Sequence, residues 1–439
     1  MFKFWIIYYW LGIKLRGKFS SRRKLLNYQQ KKLKKFQKKV LRNSPYYQAL
    51  MKEGYDIDSF PIIGKKEFVE SFDQINTVGI KAVEAFEFAI KAEKDREFSG
   101  ELNGITVGLS SGTSGNRSLF LASAKERAKW AANVFSRVVS PKFLQKQKVA
   151  FILRADSNLY SSVSSSAFKF HFLHLATPLP DLIKELNVYQ PDILSAQPSL
   201  MILLAQAKRS DQLKISPKQL ISYAEVLDEM DRRQIEEAFG KIITEVYQCT
   251  EGFLGHSCKH GNIRLHEDLV RFEKEYIAPG KFQPIVTDFS RSSQPVVRYK
   301  MNDILEEMEE SCPCGSPMIC LKRIEGRMDE VLEFTDEAGE IRRIFPDFLR
   351  RSLIMADGGI ENYQIVQSSP TELEIYLEGS KMDFFESKER VSKAYKELFT
   401  SYQLPEIELK FFASVPPKHA LDKMKRIVSL KSQRKRAKV

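Results

Sequence analysis

Leu109-Ser-Ser-Gly-Thr-Ser-Gly-Asn-Arg-Ser118 connects a predicted strand, Ile105–Leu109, to a predicted helix at 124–134. Its two glycines allow backbone conformations in which successive N–H groups converge on an anion, and its hydroxyl groups add further donors. Arg117 can neutralise negative charge, and the N-terminus of the following helix favours a phosphate. The Gly-Lys-Ser/Thr of a Walker A motif is missing. Taken alone, the loop is therefore compatible with a plain turn as well as with phosphate binding.

Strand-like and helical segments alternate on both sides of this loop, from about residue 50 to residue 326. Buried strands are predicted at 149–153 and 242–247, and an amphipathic helix at 228–239 is closed by Gly240. This order predicts a large α/β body with partly parallel sheets. After residue 326 the pattern changes to short alternating strands around two helices. That change predicts a small α+β domain, with strands at 331–334, 341–345, 363–366 and 373–377 and helices near 346–355 and 383–402.

Length and charge restrict the possible functions. A chain of 439 residues is expected to form two or three domains, and it lacks an apolar run of about 20 residues that would span a membrane. The net charge of +13 is concentrated at the ends: residues 1–52 carry +15 and residues 418–439 carry +8, which leaves −10 for residues 53–417. An acidic body argues against nucleic-acid binding. Five cysteines favour a reducing cytoplasm over a disulfide framework.

The N-terminal segment combines an aromatic and aliphatic cluster at 2–11 with a basic stretch at 14–42. Helical spacing of the apolar residues in the basic stretch predicts a helix that ends at Asn43-Ser-Pro45; these residues are Leu26, Leu33, Phe36 and Val40. Two interpretations stay open. The segment is either an interfacial anchor that contacts anionic lipid at the inner face of the membrane, or a helix packed on the body with a solvated basic face.

Further motifs follow the glycine-rich loop along the chain. Tyr223-Ala-Glu225 precedes a helix, and Tyr247-Gln-Cys-Thr-Glu251 closes a strand with a carboxylate able to hold Mg²⁺. Arg298-Tyr-Lys-Met-Asn-Asp303 ends another strand with a carboxylate that can accept ribose hydroxyls. Gly326-Arg-Met-Asp329 stands where the pattern changes, and Asp422-Lys423 follows Pro416-Pro417 near the C-terminus.

In order and spacing, these motifs resemble those of the adenylate-forming enzymes, nearest to the phenylacetate–CoA ligase and CapK-like branch that includes deazaflavin-coenzyme synthetases. The resemblance covers nearly the whole chain. It implies an α/β fold of the acyl-CoA synthetase type, with a large multi-sheet N-terminal adenylation domain and a small mobile α+β C-terminal domain. We expect a basic helical segment at 1–52, the large domain at 53–328 and the small domain at 329–439, with the hinge near Asp329.

The resemblance also implies roles for individual residues. The phosphates of ATP would be embraced by Ser110, Ser111, Gly112, Thr113, Ser114, Gly115 and Arg117. The adenosine would be held by Tyr223, Ala224, Glu225, Tyr247, Asp303 and Arg327, with the tyrosine at 247 closing over the base and the aspartate binding the ribose. Thr250 and Glu251 match the pair that binds phosphate and Mg²⁺. Lys423 matches the lysine that contacts the substrate carboxylate and the α-phosphate.

The implied function is an ATP-dependent ligase that converts a small carboxylic acid into an acyl- or aryl-adenylate (an AMP intermediate). Lys423 and Mg²⁺ would offset the repulsion between the two anions that react. The acyl group would then pass to the thiol of CoA or to the phosphopantetheine of an acyl carrier protein. Two alternatives are an adenylyltransferase whose AMP ester is the final product, and a non-catalytic scaffold with the same fold. Asn116-Arg117 and Asp422 depart from the usual motifs and motivate the second alternative.

A separate set of residues has the spacing of a metal site. Cys258, His266, Cys312 and Cys314 form Cys-x7-His followed by Cys-x-Cys, and three thiolates with an imidazole suit a closed, structural Zn²⁺ site. Members of the resembled branch show a similar arrangement. His256 and His260 are alternatives to the histidine at 266.

Overall fold

The computed structural model describes residues 2–95, 100–109, 117–139, 147–153, 168–380, 382–416, 425–430 and 432–433. The chain packs as two compact units. Among the described residues, unit 1 comprises 2–301 and 305–323, and unit 2 comprises 302–304 and 324–433. The predicted α/β class with a large, many-stranded sheet is confirmed.

The helices of unit 1 lie largely before and between its strands. They are α1 (Phe2–Arg16), α2 (Arg22–Lys39), α3 (Pro45–Lys52), α4 (Lys65–Glu70), α5 (Phe72–Ile75), α6 (Ala82–Asp95), α7 (Ala124–Arg137), α8 (Leu179–Tyr189), α9 (Pro198–Arg209) and α10 (Glu229–Phe239), with a 3₁₀ turn at Leu41–Asn43. Helix α10 ends at Gly240 as predicted, and Asp228, predicted as its first residue, is its N-cap. Asp228 accepts a hydrogen bond from the Met230 N–H at 3.1 Å, and Gly240 ends the helix at φ +63°.

A small antiparallel pair and a large mixed sheet contain the first fourteen strands. The strands are β1 (Ile105–Leu109), β2 (Leu119–Ser123), β3 (Gln147–Leu153), β4 (Phe168–His174), β5 (Ile193–Ala196), β6 (Gln219–Tyr223), β7 (Ile243–Cys249), β8 (Gly252–Ser257), β9 (Ile263–Leu265), β10 (Val270–Ala278), β11 (Lys281–Asp288), β12 (Val296–Lys300), β13 (Asp303–Glu307) and β14 (Cys320–Arg327). β1 pairs with β2, and the large sheet has the order β10-β11-β13-β14-β9-β8-β7-β6-β5-β3-β4, with β12 beside β11.

Strands β4, β3, β5, β6 and β7 run parallel, whereas β7 and β8 are antiparallel. All four residues of β5 are buried, as expected for a parallel strand that is covered on both faces. The carboxyl ends of the parallel strands meet at one edge of the sheet. In open α/β sheets, this is the edge where ligands bind.

The basic N-terminal segment is not one helix. It breaks after α1 at Gly17, whose φ is +68°, and resumes at α2, where Ser21 accepts a hydrogen bond from Lys24 N–H. The predicted apolar face is also wrong at Leu26, which is 43% exposed. Leu33 and Phe36 are buried as predicted, and the rest of the buried face of α2 is Leu25 and Gln29, whose side chain donates to the Glu267 carbonyl at 2.9 Å. Among the described residues, no helix combines the length and apolar content needed to cross a bilayer.

Unit 2 contains a hairpin and a four-stranded sheet. The hairpin is β15 (Leu332–Thr335) with β16 (Ile341–Ile344), and the sheet has the order β19 (Glu408–Phe412), β18 (Glu372–Glu378), β17 (Asn362–Ser369) and β20 (Ile427–Val428). Its helices are α11 (Pro346–Ala356) and α12 (Phe384–Ser401). Alternate residues of β18 are buried, as are Val391, Tyr395 and Phe399 of α12. The period of two in the strand and the period near four in the helix supply the two apolar faces of this core.

Candidate active site

A sharp turn follows β6 at the carboxyl edge of the parallel strands. Ala224 has φ +70°, in the left-handed region, which redirects the chain immediately after Tyr223. The Tyr223 hydroxyl donates a hydrogen bond to the Ile152 carbonyl, and the Glu225 carboxylate accepts one from the Ser199 N–H at 3.1 Å. Because Ser199 lies in the first turn of α9, this carboxylate caps the helix. The turn is thereby fixed at both ends.

Thr250 and Glu251 form the turn between β7 and β8, at the same edge. The Thr250 hydroxyl donates to a Glu251 carboxylate oxygen at 2.9 Å. The Thr250 carbonyl accepts a hydrogen bond from Arg291, a residue that the sequence analysis did not select. Arg291 also donates to the Leu121 carbonyl at 3.3 Å and to Gln294 at 3.2 Å. The turn therefore contains the half-buried carboxylate of Glu251 and is held by the guanidinium of Arg291.

A buried aspartate, Asp288, packs against Gly252, the residue that follows this turn. Asp288 is 2% exposed, and its carboxylate accepts a hydrogen bond from the Ser290 N–H at 2.7 Å. A Cβ on Gly252 would meet Asp288 Oδ2 at 2.9 Å, so the close approach requires glycine. Burial raises the pKa of the Asp288 carboxyl group, against the opposing effect of Arg291. Lys129 donates to the Ser290 carbonyl at 3.0 Å, and burial lowers the pKa of its amino group.

Beside the Tyr223 turn lies an apolar cavity of about 240 Å³. One wall is α7, and the other is formed by the parallel strands. The lining side chains are Trp130, Ala131, Val134, Phe135, Val138, Val139, Val149, Phe151, Phe170, Ile193, Ser195, Ile221, Tyr223, Ala224, Val246 and Gln248. Few polar groups reach it: the Trp130 indole N–H donates to Gln248 at 2.8 Å, and the buried Ser195 hydroxyl oxygen has no hydrogen-bond partner among the described residues.

Tyr247 lies on the opposite face of β7 from this cavity. Val246 and Gln248 line the cavity, and alternate residues of a strand point to opposite faces, so the phenol ring points away from it. The ring is 7% exposed. A register shift between Tyr247 and Gln248 marks a bulge in the pairing of β7 with β8.

Arg117 is engaged by a carboxylate. Its guanidinium donates to both oxygens of Glu93 in α6, one of them at 2.7 Å, and this hydrogen bonding raises the pKa of Arg117. A phosphate that binds Arg117 must therefore compete with Glu93. The other predicted phosphate ligands, residues 110–115, and Lys423 lie outside the residues that the structure describes.

In unit 2, three predicted residues come together. The Arg327 Nε atom lies 4.0 Å from Asp303 Oδ1 and 3.6 Å from Asp329 Oδ1. The Asn302 amide donates to Asp329 Oδ1 at 2.6 Å, whereas the buried Oδ2 has no hydrogen-bond partner among the described residues. Packing assigns 324–328 to unit 2, whereas the sequence analysis places the boundary after 328.

Three of the four predicted zinc ligands are brought together. The Sγ atoms of Cys258, Cys312 and Cys314 all lie within 4.8 Å of one another, and Cys320 packs against the same group. The prediction of His266 as the fourth ligand is wrong, because both of its ring nitrogens are engaged elsewhere. Nε2 lies 2.7 Å from His256 Nδ1, and Nδ1 lies 2.9 Å from the Phe253 carbonyl oxygen.

A further ionic cluster, missed by the sequence analysis, surrounds Asp268. This buried carboxylate accepts hydrogen bonds from Arg137 of α7 at 2.7 and 3.1 Å and pairs with Arg16 of α1. The neighbouring Glu267 pairs with Arg22 of α2 and accepts the Ile319 N–H at 2.8 Å. No local pattern reveals these pairs, because the partners are more than 100 residues apart in sequence.

No family model matches the chain. Two curated proteins are similar to parts of it. CapK of Staphylococcus aureus is 27% identical over 201 residues, which cover 44% of this chain and 43% of CapK. Phenylacetate-coenzyme A ligase of Thermus thermophilus is 24% identical over 223 residues, which cover 46% of this chain and 48% of the ligase. The chain thus spans less than half the length of these relatives in the aligned regions.

Solved structures resemble most of the chain at low sequence identity. A 2-hydroxyisobutyryl-CoA ligase in the postadenylation state, in complex with R3-HIB-AMP, has a TM-score of 0.65 at 16% identity and covers 94% of this chain and 90% of its own. An anthranilate CoA ligase in complex with anthranoyl-AMP has a TM-score of 0.54 at 14% identity, with 76% and 66% covered. At these identities the comparison establishes the fold.

Proposed function

Since the chain is related to phenylacetate–CoA ligase and CapK and has the fold of the adenylate-forming CoA ligases, we propose that it is an ATP-dependent ligase that activates a small carboxylic acid. The acid's carboxylate would attack the α-phosphorus of ATP to form an acyl- or aryl-adenylate, and pyrophosphate would leave. The observation that carries this proposal is the apolar cavity beside the Tyr223 turn. It lies at the edge of the parallel strands, where the motifs at Tyr223 and at Thr250-Glu251 are also found.

We assign the roles of the residues from the motifs that they match. The fixed turn at Tyr223, Ala224 and Glu225 would border the adenine, and Asp303 with Arg327 would bind the ribose. Glu251 and Thr250 would hold Mg²⁺ and phosphate oxygens, and Mg²⁺, when bound, offsets phosphate charge. Lys423 would orient the substrate carboxylate and stabilise negative charge at the α-phosphate. Asp329 would act as the hinge for movement of the small domain between the two half-reactions.

The volume and polarity of the cavity restrict which carboxylic acids can bind. A dry, apolar cavity of about 150 Å³ is known to hold benzene, so 240 Å³ accommodates one aromatic ring or a short branched chain. No charged side chain lines the cavity among the described residues. The unpartnered Ser195 hydroxyl favours an acid with one hydrogen-bonding substituent, since a buried polar group without a partner is costly. We therefore expect a substituted aryl acid to be the preferred substrate.

Filling the cavity should change which acids are used. In Ala131→Phe, the new ring projects from α7 into the cavity, where Ala131 is 1% exposed. We expect kcat/KM for aryl acids to fall at least about tenfold relative to that for acetate, because one ring-sized volume is lost. Acid-dependent pyrophosphate release measures both values. The ratio within one variant is the control for misfolding, and an unchanged ratio would refute the assignment of the cavity.

For the second half-reaction, we propose that the acyl group is transferred to the thiol of CoA. The support is that the proteins similar to this chain include CoA ligases. An acyl carrier protein is the other acceptor, favoured by the basic ends of the chain. Product analysis with CoA, with a phosphopantetheinylated carrier protein and without a thiol separates the two. Accumulation of a released AMP ester without transfer would instead identify the adenylyltransferase alternative.

We also propose that the thiol cluster holds a structural Zn²⁺. The Sγ atoms of Cys258, Cys312 and Cys314 lie close enough together to share one ion, and the neighbouring Cys320 would supply the fourth thiol in place of His266. Cys258 directly follows β8 and lies 54 residues before Cys312, so the metal would tie the end of β8 to the loop at 312–314 and to β14.

Metal analysis tests this set of ligands. We expect about one zinc per chain in the purified protein and loss of most of it in Cys312→Ser and in Cys320→Ser. Cys249→Ser is the matched control, because Cys249 is a half-buried cysteine outside the cluster and, like the others, forms no disulfide. Zinc retained by Cys320→Ser but lost from Cys312→Ser would exclude Cys320 as the fourth ligand.

We place the protein in the cytoplasm. Support comes from its five cysteines, which form no disulfide, since an oxidising compartment favours disulfides.

A further inference from the structure

Helix α1 is apolar on all sides, yet only one side is packed. Its sequence is rich in aromatic and aliphatic residues around the whole circumference. A helix of this kind is normally buried all round. Here one side contacts α7, with Lys125 4.8 Å from the Trp5 ring and Arg127 5.6 Å from the Phe2 ring. None of the residues of α1 is fully buried.

The opposite side is exposed and continuous. Phe4, Ile7, Tyr8, Leu11 and Leu15 are 64%, 58%, 57%, 46% and 86% exposed. At about 100° per residue, these five side chains fall within an arc of roughly 100° on the helix. We call them the α1 stripe. A contiguous apolar surface of this kind marks an interaction site.

The direction of the α1 stripe is fixed by ionic contacts at the end of the helix. Arg16 pairs with the buried Asp268 and donates a hydrogen bond to the Tyr28 hydroxyl of α2 at 3.1 Å. Its guanidinium also stacks 5.2 Å from the rings of Phe19 and Tyr28. Because α1 is held by charge pairs as well as by contacts with α7, the stripe belongs to a positioned helix of unit 1.

The charge around the stripe indicates its partner. Residues 1–52 contain 15 Lys and Arg and no Asp or Glu. Lys3 and Lys14 are exposed and lie at one edge of the stripe by helical geometry. In the next helix, α2, seven lysines are exposed, at 24, 31, 32, 34, 35, 38 and 39. An apolar strip with aromatic residues and a basic border fits the interface of an anionic bilayer, whereas a second copy would bring two equally basic segments together.

We propose that the α1 stripe docks the protein on an anionic lipid surface. The helix lies in the plane of the interface, with its apolar side chains among the acyl chains and its lysines among the headgroups. With 15 residues, α1 is too short to span the bilayer. The inference goes beyond the proposed ligase activity and does not depend on it, because vesicle binding is measured without turnover.

Vesicle sedimentation with the full chain tests the proposal. The probes are phosphatidylcholine vesicles with and without phosphatidylglycerol. We expect the wild type to bind the anionic vesicles and Leu11→Glu/Leu15→Glu to bind at least about tenfold more weakly. Val188→Glu/Ile242→Glu is the matched control, because it makes the same charge change at residues that are 81% and 58% exposed elsewhere on unit 1. Binding of this control should equal that of the wild type.

Two results would overturn the inference. The first is equal sedimentation of Leu11→Glu/Leu15→Glu and the wild type, including the case in which neither sediments. The second is a dimer that forms without lipid and dissociates in Leu11→Glu/Leu15→Glu, as measured by analytical ultracentrifugation, since the stripe would then bind a second copy. If the wild type binds the anionic vesicles more weakly as the salt concentration rises, the role of the basic border is supported.

Discussion

Asp268→Asn lowers the free energy of unfolding by about 3–5 kcal/mol, the usual cost of removing one partner from a buried ion pair. The carboxylate is 1% exposed and is shared by Arg137 and Arg16. Asparagine keeps the shape but leaves two guanidinium groups without their negative partner. Denaturant unfolding followed by circular dichroism measures the loss.

Glu237→Gln is the control for this prediction. Glu237 also pairs with an arginine, Arg209, at 3.3 Å, but its side chain is 72% exposed. We expect it to change the free energy of unfolding by about 0–1 kcal/mol. Equal, small effects of both substitutions would show that the Asp268 cluster does not hold α1 and α7 together.

The same cluster predicts a loss of stability in acid. Arg137 and Arg16 hold the pKa of Asp268 well below its usual range despite burial, so its contribution is complete above about pH 4 and is lost as the pH falls below it. Burial lowers the pKa of the neighbouring His266 from 6.5 to about 3. The unfolded chain therefore takes up a proton at His266 below about pH 6.5 while the folded chain does not, and stability begins to fall there.

Glu251→Gln reduces the release of pyrophosphate that depends on the carboxylic acid substrate by about 10²–10³-fold. This is the size of effect expected when one preorganised charge at a transition state is lost. Glutamine has the same shape and can still accept the hydrogen bond from Thr250, so the turn between β7 and β8 should persist. The loss would come from weaker Mg²⁺ binding, since a neutral amide is a poorer ligand than a carboxylate.

Steady-state kinetics over a range of Mg²⁺ concentrations checks this prediction, with Glu237→Gln again as the control. A higher Mg²⁺ requirement with retained thermal stability is expected. Activity within about threefold of the wild type at low Mg²⁺ would remove Glu251 from the nucleotide site.

Features encoded by short segments could be predicted from the sequence. The α10 helix has its cap at Asp228 and its stop at Gly240, and both signals act within a few residues. The order of strands and helices predicted the fold class for the same reason. The place of Thr250 and Glu251 at the end of a strand needed only the local pattern of β7.

Features that depend on distant partners could not be predicted. Helical spacing identified Leu33 and Phe36 in the buried face of α2 but missed Gln29, whose partner Glu267 lies far along the chain. Cysteine and histidine spacing suggested a ligand set, but His266 turns to His256 in the folded chain. The cavity near Ser195 arises where α7 meets five parallel strands, a packing that no single segment encodes.

The most direct test of the central claim is the detection of an adenylate on the purified protein. ATP labelled in the α-phosphate is incubated with Mg²⁺ and a panel of aryl and short-chain acids, without a thiol. The account predicts a labelled acyl- or aryl-AMP with an equal amount of pyrophosphate, dependent on the acid and lost in Lys423→Ala. Binding of ATP with no labelled adenylate for any acid of the panel would contradict it.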